Sequence, residues 1–519
     1  MPAPLLRNKL TLLDDALGQV LELTVGPVAH GGFCVARHEG RVVFVRFALP
    51  GEQVRAVVTQ GGKRFWRADA VELLGNRHPD RVASTWPQTC PDIAQPASTQ
   101  GGQGGQALAG GLTAGNAAVG HAALSNAAVG QEGRGADVVG GGELAHVSVE
   151  GQLRWKRAVI VEQMSRLAGL DLDVSLPAFT VEPAKQEDRV QSNLVPDNQA
   201  QQGFGNQDME GQPSGLHSAA SQASGLHYRT RISLTADSQG YAGMRQARSH
   251  SVTRLSTMPL ATEQVLDLAQ ANEVFSRKWR PGQQLDLVAP ANGSPGLLLV
   301  DGQPWHRGRP DSRPNARTSV RESVSLHSPY GDLSHDFKLA GQGFWQVHRH
   351  APALLTQAVL DSVSASTTEP IRLALDLYSG AGLFTAFLAQ ALGSAGQVIS
   401  VEGDERAVKD ARRNLHHLGS RVHLRQGPVD QVLADLADLT PDLVVLDPPR
   451  AGAGRKVMEL IAGMGPATLV YVACDPAALA RDISYATGLG YRLQALRAFD
   501  IFPMTHHVEC VATLKRESA

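Results

Sequence analysis

The sequence predicts a three-part α/β protein, with an N-terminal OB-like β-barrel, a middle α+β domain and a C-terminal Rossmann-like domain built on a seven-stranded sheet. Three observations predict this fold class. From residue 372 onward, apolar runs of strand length alternate with segments of helical period, which is typical of a doubly wound sheet. Before residue 75, short strand-like runs are separated by glycines. Between these regions, helix and strand patterns are interrupted by low-complexity stretches.

The bulk composition limits the possible classes of protein. A chain of 519 residues is long enough for about three domains. A formal net charge of −2 excludes a basic field over the whole chain, so any affinity for nucleic acid must come from local patches. The 4 cysteines, without paired spacing, argue against a disulfide framework. No run approaches about 18 apolar residues and no signal pattern opens the chain, so we expect a soluble, cytoplasmic protein without membrane contact. The sequence does not give the oligomeric state, for which a monomer is our expectation.

The first predicted domain, residues 10–75, is a small barrel. Its predicted strands are Val20–Val25, Arg41–Phe47, Val54–Val58 and Ala68–Leu73. The run Lys63-Arg64-Phe65-Trp66-Arg67 interleaves cations with aromatic rings, as in proteins that bind single-stranded RNA, because bases stack on rings while phosphates pair with charge. A solvated loop with one buried tryptophan is an equally good interpretation of this run.

Two stretches have too few large apolar side chains to offset the entropy cost of ordering. Residues 88–142 are rich in Gly, Ala, Gln, Asn and Ser, and residues 185–224 repeat this composition. We predict that both are disordered insertions. The Arg- and Pro-rich segment Arg307–Arg321 is either a phosphate contact or a solvated loop.

The middle domain, residues 143–335, is predicted to combine a helix with an antiparallel sheet. The predicted elements are the helix Leu153–Leu170 and the strands His227–Leu234, Leu285–Val288 and Gly296–Val300. The run Tyr228-Arg229-Thr230-Arg231 alternates with a period of two, which puts both arginines on one face. That face is interpreted as a contact for an RNA backbone, with an ordinary solvent face as the alternative.

The C-terminal domain, residues 336–519, contains the candidate site. Its predicted strands are Arg372–Tyr378, Gln397–Glu402, Val422–Gln426, Asp442–Leu446, Thr468–Ala473, Tyr491–Phe499 and Val508–Leu514. Ligands of such sheets lie outside the carboxyl ends of the strands. The candidate residues at these ends are Asp376, Glu402, Asp447 and Cys474.

The residues at two of these strand ends are typical of nucleotide binding. Gly380 and Gly382 follow Asp376 and allow a tight turn that approaches a ligand closely, although the third glycine of the dinucleotide fingerprint is missing. Glu402 ends the next strand, where a carboxylate can accept both hydroxyl groups of a ribose. Two prolines after Asp447 fix the backbone and remove two amide donors.

Taken together, several motifs resemble the RNA uracil-5-methyltransferase family. The matching motifs are Asp447-Pro-Pro-Arg-Ala-Gly452, Tyr471-Val-Ala-Cys-Asp-Pro476, Phe502-Pro-Met-Thr-His-His-Val-Glu509 and Gly343-Phe-Trp-Gln-Val-His348. The N-terminal barrel resembles the family's TRAM domain. The resemblance covers nearly the whole chain outside the predicted insertions. It implies methylation of uridine at carbon 5 in RNA, ribosomal RNA being favoured over transfer RNA.

The resemblance also implies roles for six residues. Cys474 is the expected nucleophile and Glu509 the expected general base. Gln346, Tyr378, Glu402 and Asp447 are the expected contacts of S-adenosylmethionine. The chemistry is consistent with these roles: thiolate addition to carbon 6 makes carbon 5 electron-rich, and a base must later remove the carbon 5 proton. The target base must first leave any helix.

The chain departs from the family pattern in several places. Many relatives bind a four-iron cluster through cysteines, but here only Cys34 and Cys90 remain as candidates, so we predict no metal cluster. Leu383 and His348 stand where relatives often carry Asn. Asp475, also in place of Asn, would raise the pKa of Cys474 if it faced the sulfur. We expect Arg450 or His507 to offset that effect.

Two other functions remain open at this point. The first alternative is an RNA cytosine-5 methyltransferase, which also uses a cysteine and would act on cytosine transcripts only. A second alternative is an RNA-binding or folding factor whose catalytic domain has decayed, which is suggested by Leu383 and Asp475. That factor would bind RNA equally well after Cys474→Ala and would transfer no methyl group.

Overall fold

A computed structural model describes residues 16–94, 138–184, 225–246, 251–367 and 369–517. The predicted insertion at 185–224 lies outside the described residues, as does the part of the first insertion between 95 and 137. The chain divides into two compact units. The first contains the described residues up to 138 together with 143–147, and the second contains residues 139–142 and those from 148 onward.

The first unit contains a six-stranded sheet. Its strands are β1 (Val20–Thr24), β2 (Val28–Ala29), β3 (Phe33–His38), β4 (Arg41–Arg46), β5 (Gln53–Gln60) and β6 (Phe65–Leu73), in the order β1-β5-β6-β4-β3-β2. Buried and exposed residues alternate along β1 and β5, as expected of strands with one face on a core. The four predicted strands are confirmed. The two-residue β2 was too short to be recognised, and β3 was missed because its apolar run Phe33–Ala36 is continuous instead of alternating.

The second unit begins with a helix, α1 (Val149–Gln163), that continues through a π-helical turn, Met164–Ala168. The helix begins four residues before the predicted start because the Ser148 side chain accepts a hydrogen bond from the Gly151 amide at 3.1 Å and caps it. Gly169 ends the helix with φ +66°, the left-handed conformation that glycine adopts at no steric cost. The predicted helix is confirmed with these bounds.

An antiparallel sheet follows, covered by helix α3 (Glu263–Ala271). Its strands are β8 (Arg231–Ala236), β9 (Ala242–Arg245), β10 (Val252–Arg254), β11 (Gln284–Val288), β12 (Leu297–Val300), β13 (Gln303–His306) and β14 (Arg309–Pro310). They are arranged in the order β10-β9-β8-β11-β12-β13-β14. Between α1 and this sheet lie the short helix α2 (Leu172–Ser175) and strand β7 (Val181–Pro183).

The interpretation of Arg229 and Arg231 as one RNA-facing surface is wrong. Only Arg231 belongs to a strand, and it is buried at 8% exposure. Its guanidinium donates to the Gly343 carbonyl at 2.9 Å. The segment around Gly343 packs over the strand and removes the expected solvent face, a long-range contact that local alternation cannot predict.

A long hairpin, β15 (Ser319–Ser328) and β16 (Gly331–Ala340), connects the two parts of the second unit. The predicted domain boundary between residues 335 and 336 falls inside β16, so the middle and catalytic segments cannot be separated there. Val320, Val324 and Phe337 of the hairpin lie in the same apolar core as side chains of the C-terminal segment. The second unit is therefore one compact body.

The C-terminal segment forms a doubly wound sheet. Its strands are β17 (Leu373–Leu377), β18 (Gln397–Glu402), β19 (Val422–Gln426), β20 (Leu443–Leu446), β21 (Thr468–Ala473), β22 (Tyr491–Asp500) and β23 (Glu509–Arg516). Its helices are α4 (Ala351–Ser366), α5 (Leu383–Ala391), α6 (Glu405–Leu415), α7 (Val429–Asp435), α8 (Gly454–Met464) and α9 (Pro476–Gly488). The strand order is β19-β18-β17-β20-β21-β23-β22-β7, and only β23 runs antiparallel to its neighbours.

The seven predicted strands are confirmed, and β7 adds an eighth at the edge beside β22. Strand β7 has only three residues, one of which is a proline, and the sequence therefore did not predict it. Successive strand residues pack into different apolar cores on the two faces, as Val445 and Leu446 do. Burial on both faces explains the near-continuous apolar runs in the sequence. Among the described helices, none combines the length and apolarity needed to cross a bilayer.

Candidate active site

Five of the six predicted site residues lie at one edge of the C-terminal sheet. The parallel strands β18, β17, β20 and β21 are neighbours, so their carboxyl ends meet at this edge and carry Glu402, Tyr378, Asp447 and Cys474. Strand β23 runs the other way and begins at Glu509. Because Ala473 pairs with Cys510, Glu509 reaches the same edge beside Cys474.

The glycine-rich turn after β17 leaves room for a ligand. Tyr378 has φ +62°, an uncommon conformation for a bulky residue, and turns the chain at the sheet edge. A β-carbon added at Gly380 would meet no described atom within 4 Å, so this side of the turn is open. A β-carbon added at Gly382, in contrast, would lie 2.7 Å from Leu415 Cδ1. Gly380 therefore shapes an open cradle, whereas Gly382 allows close packing of the turn on α6.

The Glu402 carboxylate is fixed beside this cradle. One oxygen accepts the Gly380 amide at 2.8 Å and the other accepts the Asp404 amide at 2.7 Å. A carboxylate has about four acceptor positions, so two hydrogen bonds leave capacity for both hydroxyl groups of a ribose. The side chain is partly exposed, as a ligand contact requires.

Asp376 does not lie at the edge, although it was among the four candidates. Strand β17 continues for one more residue, and Asp376 is fully buried inside it. The Thr385 hydroxyl donates to one carboxyl oxygen, while the other has no hydrogen-bond partner among the described residues. Burial raises the pKa of Asp376 to about 7. The hydroxyl groups of Thr385, Ser400 and Ser379 form a chain beside it, at 3.1 and 2.7 Å, which no sequence motif indicated.

Acidic groups surround the candidate nucleophile. Cys474 is partly exposed, and burial of its sulfur, followed by the charges of Glu509 and Asp447, raises its pKa to about 12. Glu509 is buried, and its pKa lies well above the ordinary value because of burial and the neighbouring Asp447. Burial, with a smaller contribution from Asp376, also raises the pKa of Asp447. For each of the three groups, burial and the neighbouring acidic groups therefore favour the protonated form.

Arg450 carries a positive charge that opposes the rise in the pKa of Cys474 and Glu509. Its charge lowers the pKa of both Cys474 and Glu509, as expected for Cys474 from the sequence. His507 lies against Arg450, with its Nε2 atom 3.3 Å from the guanidinium. Asp475 caps α9 by accepting the amides of Ala477 and Ala478 at 3.0 and 2.9 Å. Its effect on the thiol is correspondingly the smallest of those acting on Cys474.

Gln346 lies on the segment between β16 and α4 rather than at a strand end. It is buried at 9% exposure and lines a cavity of about 290 Å³ together with Glu322 and His348. The His348 ring stacks on Tyr228 with 5.1 Å between centroids. The assignment of Gln346 as a cofactor contact therefore depends on its family motif. Leu383, the other departure from that pattern, is buried in the core.

A cation–aromatic surface lies in the first unit. Phe65, Trp66 and Arg67 open strand β6 instead of forming a loop. The Arg41 guanidinium lies 4.4 Å from the Trp66 ring centroid, and Arg67 lies 5.1 Å from that of Phe65. These rings are partly exposed, and the preceding Lys63 is exposed. The surface therefore offers the rings and charges that single-stranded RNA binds.

The two cysteines that remain of the cluster pattern are both buried in the first unit. Cys90 Sγ lies 3.2 Å from His146 Nδ1, and Cys34 donates to the Ala48 carbonyl at 3.4 Å. Burial raises the pKa of Cys90 to about 12 and lowers that of His146 to about 3, so both side chains are neutral. The absence of a cluster stays a prediction.

Comparison with known proteins identifies the family. The TRAM domain profile matches residues 16–71, and the tRNA (uracil-5-)-methyltransferase profile matches residues 431–517. A protein-L-isoaspartate O-methyltransferase profile matches residues 346–438. An uncharacterized RNA methyltransferase from Streptomyces avermitilis is 35% identical over 512 residues, which cover 96% of this chain and 99% of that protein. The chain belongs to the RNA uracil-5-methyltransferase family.

Two further relatives of this family are informative. A 23S rRNA (uracil(1939)-C(5))-methyltransferase from Alkalilimnicola ehrlichii is 27% identical and covers 96% of this chain and 97% of its own. The Pyrococcus abyssi tRNA (uracil-54, C5)-methyltransferase, solved with S-adenosyl-L-homocysteine, covers 95% of this chain and 99% of its own with a TM-score of 0.54. At 19% identity this likeness concerns the fold. As a member of the family, the protein is an S-adenosylmethionine-dependent RNA uracil-5-methyltransferase.

Proposed function

We propose that this enzyme methylates carbon 5 of a uridine in ribosomal RNA through a covalent adduct between Cys474 and carbon 6 of the base. The observation that carries the proposal is the register of β21 and β23. It brings Cys474 and Glu509 together at the sheet edge that also bears Asp447 and the glycine-rich turn. A nucleophile, a proton acceptor and a cofactor cradle thus share one edge.

The residues at this edge fit S-adenosylmethionine. The open side of Gly380 accommodates a ligand against the backbone, and the oriented Glu402 carboxylate suits a ribose. We assign Tyr378, Glu402, Asp447 and, from its motif, Gln346 to cofactor binding. The cofactor supplies an electrophilic methyl group on a positively charged sulfur. Two carboxyl groups at the edge are compatible with that positive charge.

Cys474 begins the reaction in the proposed mechanism. Its sulfur attacks carbon 6, and the electron pair of the carbon 5–carbon 6 double bond makes carbon 5 nucleophilic. Because the thiol pKa is about 12 in the free protein, the thiolate must form when substrates bind. Arg450 favours the thiolate, while Glu509 and Asp447 oppose it for as long as they are ionised.

Glu509 completes the reaction. After carbon 5 has been methylated, the Glu509 carboxylate takes the carbon 5 proton. The electron pair of that C–H bond re-forms the double bond, the carbon 6–sulfur bond breaks, and its pair leaves on Cys474 as thiolate. A buried carboxyl group with a raised pKa is a suitable proton acceptor because its protonated form is stabilised.

Ribosomal RNA is the proposed substrate class. A relative that covers nearly the whole chain is a 23S rRNA uracil-C5-methyltransferase, whereas the tRNA substrate is supported by a family profile over residues 431–517 and by a likeness of fold at 19% identity. The Arg41, Phe65, Trp66 and Arg67 surface is the proposed contact for an unpaired RNA segment. Cytoplasmic location and a monomeric state stay predictions.

The test uses methyl-labelled S-adenosylmethionine with protein-free ribosomal RNA, followed by nucleoside analysis. We expect label in 5-methyluridine. A 5-fluorouridine transcript should become covalently attached to the wild type but not to Cys474→Ala. Cys510→Ala is the matched control, because this neighbouring cysteine is fully buried. Label in 5-methylcytidine would favour a cytosine enzyme, and RNA binding without methyl transfer would favour a decayed one; either result would overturn the proposal.

A further inference from the structure

The loop between β22 and β23, residues 501–508, delivers Glu509 to the sheet edge, and distant side chains hold three of its successive residues. These contacts come from the early part of the second unit rather than from neighbours in sequence. The hydrogen bonds are Lys156 Nζ to the Phe502 carbonyl at 3.1 Å, Tyr228 Oη to the Pro503 carbonyl at 3.2 Å and the Met504 amide to Gln152 Oε1 at 2.7 Å.

Two of these anchors share one face of α1. Gln152 and Lys156 are four residues apart, and both side chains are fully buried. Lys156 also pairs with Asp500 at 2.5 Å, and Asp500 is the last residue of β22. Buried polar groups persist in proteins where they are hydrogen-bonded. Here these bonds go to the loop and to the strand that leads into it.

Met504 adopts a strained conformation in this loop. Its φ of +67° is in the left-handed region, which residues with a β-carbon seldom occupy. Gln152 contacts both the backbone and the side chain of Met504. Its Oε1 accepts a hydrogen bond from the Met504 amide, and its Nε2 lies 3.4 Å from the Met504 sulfur. Strained backbone persists only where the surroundings over-determine it, and it clusters at functional sites.

The anchored segment leads directly to Glu509. The Thr505 hydroxyl donates to the Phe502 carbonyl at 2.8 Å and accepts the His507 amide at 3.2 Å, so the turn is closed internally. Two residues later the chain enters β23 at Glu509. A shift of the anchored residues would therefore move the Glu509 carboxyl group relative to Cys474.

We propose that Gln152 and Lys156 are positioning residues for Glu509 and that they serve the elimination step. The inference rests on the proposed role of Glu509 as general base. In that step Glu509 accepts the carbon 5 proton, the double bond re-forms, and the carbon 6–sulfur bond breaks to release Cys474 as thiolate. Attack by Cys474 and methylation of carbon 5 precede it and do not need the base.

Because elimination follows adduct formation, a displaced Glu509 and a general loss of folded protein have different effects on the amount of adduct. A displaced Glu509 slows elimination, so the methylated adduct between enzyme and RNA accumulates. Loss of folded protein lowers adduct formation and product formation together. The amount of adduct trapped with ordinary uridine RNA therefore reports on the position of Glu509, whereas the rate of product formation by itself does not.

The test variant is Gln152→Leu, and Gln163→Leu is its matched control. Gln163 is on the same helix and buried at 1% exposure, but its side chain contacts Glu162 and Arg166 at the end of the helix. Each full-length protein is mixed with S-adenosylmethionine and uridine RNA, and samples are quenched in denaturant. The covalent adduct is measured by denaturing electrophoresis, and released 5-methyluridine is measured in the same samples.

We expect elimination by Gln152→Leu to slow by about tenfold to a hundredfold, the range for a misplaced catalytic group, with a matching rise in trapped adduct. Gln163→Leu should trap no more adduct than the wild type. With 5-fluorouridine RNA, where fluorine blocks elimination, all three proteins should trap similar amounts. If Gln152→Leu loses product without gaining adduct, or if Gln163→Leu gains as much adduct, the inference is overturned.

The variant Glu509→Gln distinguishes a failure of this inference from a failure of the proposed function. Strong accumulation of adduct in Glu509→Gln but none in Gln152→Leu would refute positioning and leave the role of Glu509 intact. No accumulation in Glu509→Gln would refute that role, and the inference with it. Tyr228→Phe, which removes only the hydroxyl group that donates to the Pro503 carbonyl of this loop, is the milder variant if Gln152→Leu does not fold. It should also raise trapped adduct, and an unchanged level would count against positioning.

Discussion

The sharpest prediction concerns the reactivity of Cys474 in the free enzyme. Its pKa is raised from 9.0 to about 12, mainly by burial and then by Glu509 and Asp447. At pH 8 a thiol with the ordinary value is about one-tenth thiolate, whereas a thiol with a pKa of about 12 is about one ten-thousandth thiolate. Alkylation of Cys474 at pH 8 should therefore be about a thousandfold slower than that of an exposed cysteine.

The assay is a pH titration of iodoacetamide modification, read by mass spectrometry of the peptide that contains Cys474. The other three cysteines, Cys34, Cys90 and Cys510, are buried, and the rate at Cys474 is resolved from theirs by peptide. The rate should keep rising with pH past 10 instead of levelling off near 9. Cys474→Ala supplies the background.

Two variants should change this rate in opposite directions. Glu509→Gln removes the largest charge that opposes the thiolate and should speed alkylation, whereas Arg450→Ala removes the cation that favours it and should slow alkylation. A wild-type rate at pH 8 within tenfold of that of free cysteine would refute the argument, as would a faster rate for Arg450→Ala. The first result would mean that the thiol is activated before substrates bind, and the second that Arg450 does not favour the thiolate.

The remaining predictions concern two glycines, one buried histidine, one buried ion pair and the expected absence of a metal cluster. Gly382→Ala should destabilise the protein by about 2 kcal/mol or more, because its β-carbon would lie 2.7 Å from another side chain at φ +90°. Gly380→Ala, which meets open space, should cost less stability but weaken S-adenosylmethionine binding measured by calorimetry. The buried His348 has a folded pKa of about 3, below its unfolded value of about 6.5, so its stabilising contribution is present above pH 6.5 and is lost as the pH falls. At pH 5 the loss amounts to about 2 kcal/mol, so the free energy of unfolding from urea titrations should fall less between pH 7 and 5 in His348→Phe than in the wild type. Lys156→Met leaves a buried carboxylate and should cost about 3–5 kcal/mol of unfolding free energy, part of which Lys156→Met with Asp500→Asn should restore; additive losses would contradict a direct pair. Iron and sulfide assays of protein purified under argon should find no stoichiometric cluster, and a stoichiometric one would contradict the prediction.

Much of the C-terminal sheet was predictable because its strands are buried on both faces. Continuous, largely apolar runs such as Leu443–Leu446 and Thr468–Ala473 are typical of strands buried on both faces when prolines lie close to both ends. The strand ends also gave Glu402, Asp447 and Cys474, since parallel strands direct their carboxyl ends to one edge. Tyr378 came from motif resemblance. Gln346 and Glu509 came from motif resemblance, because neither stands at the carboxyl end of a parallel strand.

Other features depend on contacts between residues far apart in the chain. Arg231 has the pattern of an exposed strand residue but is covered by the segment around Gly343. Asp376 looked like a strand-end ligand, yet one additional strand residue places it in the core. Strand β7 is too short to be seen locally and exists because β22 offers it a free edge.

By itself, the sequence determined the alternation of strands and helices, the family motifs and the chemical types of groups at the sheet edge, because these depend on local periodicity and residue identity. The tertiary structure alone decided the electrostatic state of those groups. Burial and the charges of neighbours set the pKa of Cys474 and Glu509, and side chains about 350 positions earlier in the chain hold the loop before Glu509. Desolvation and long-range contacts depend on the folded packing, which no local pattern encodes.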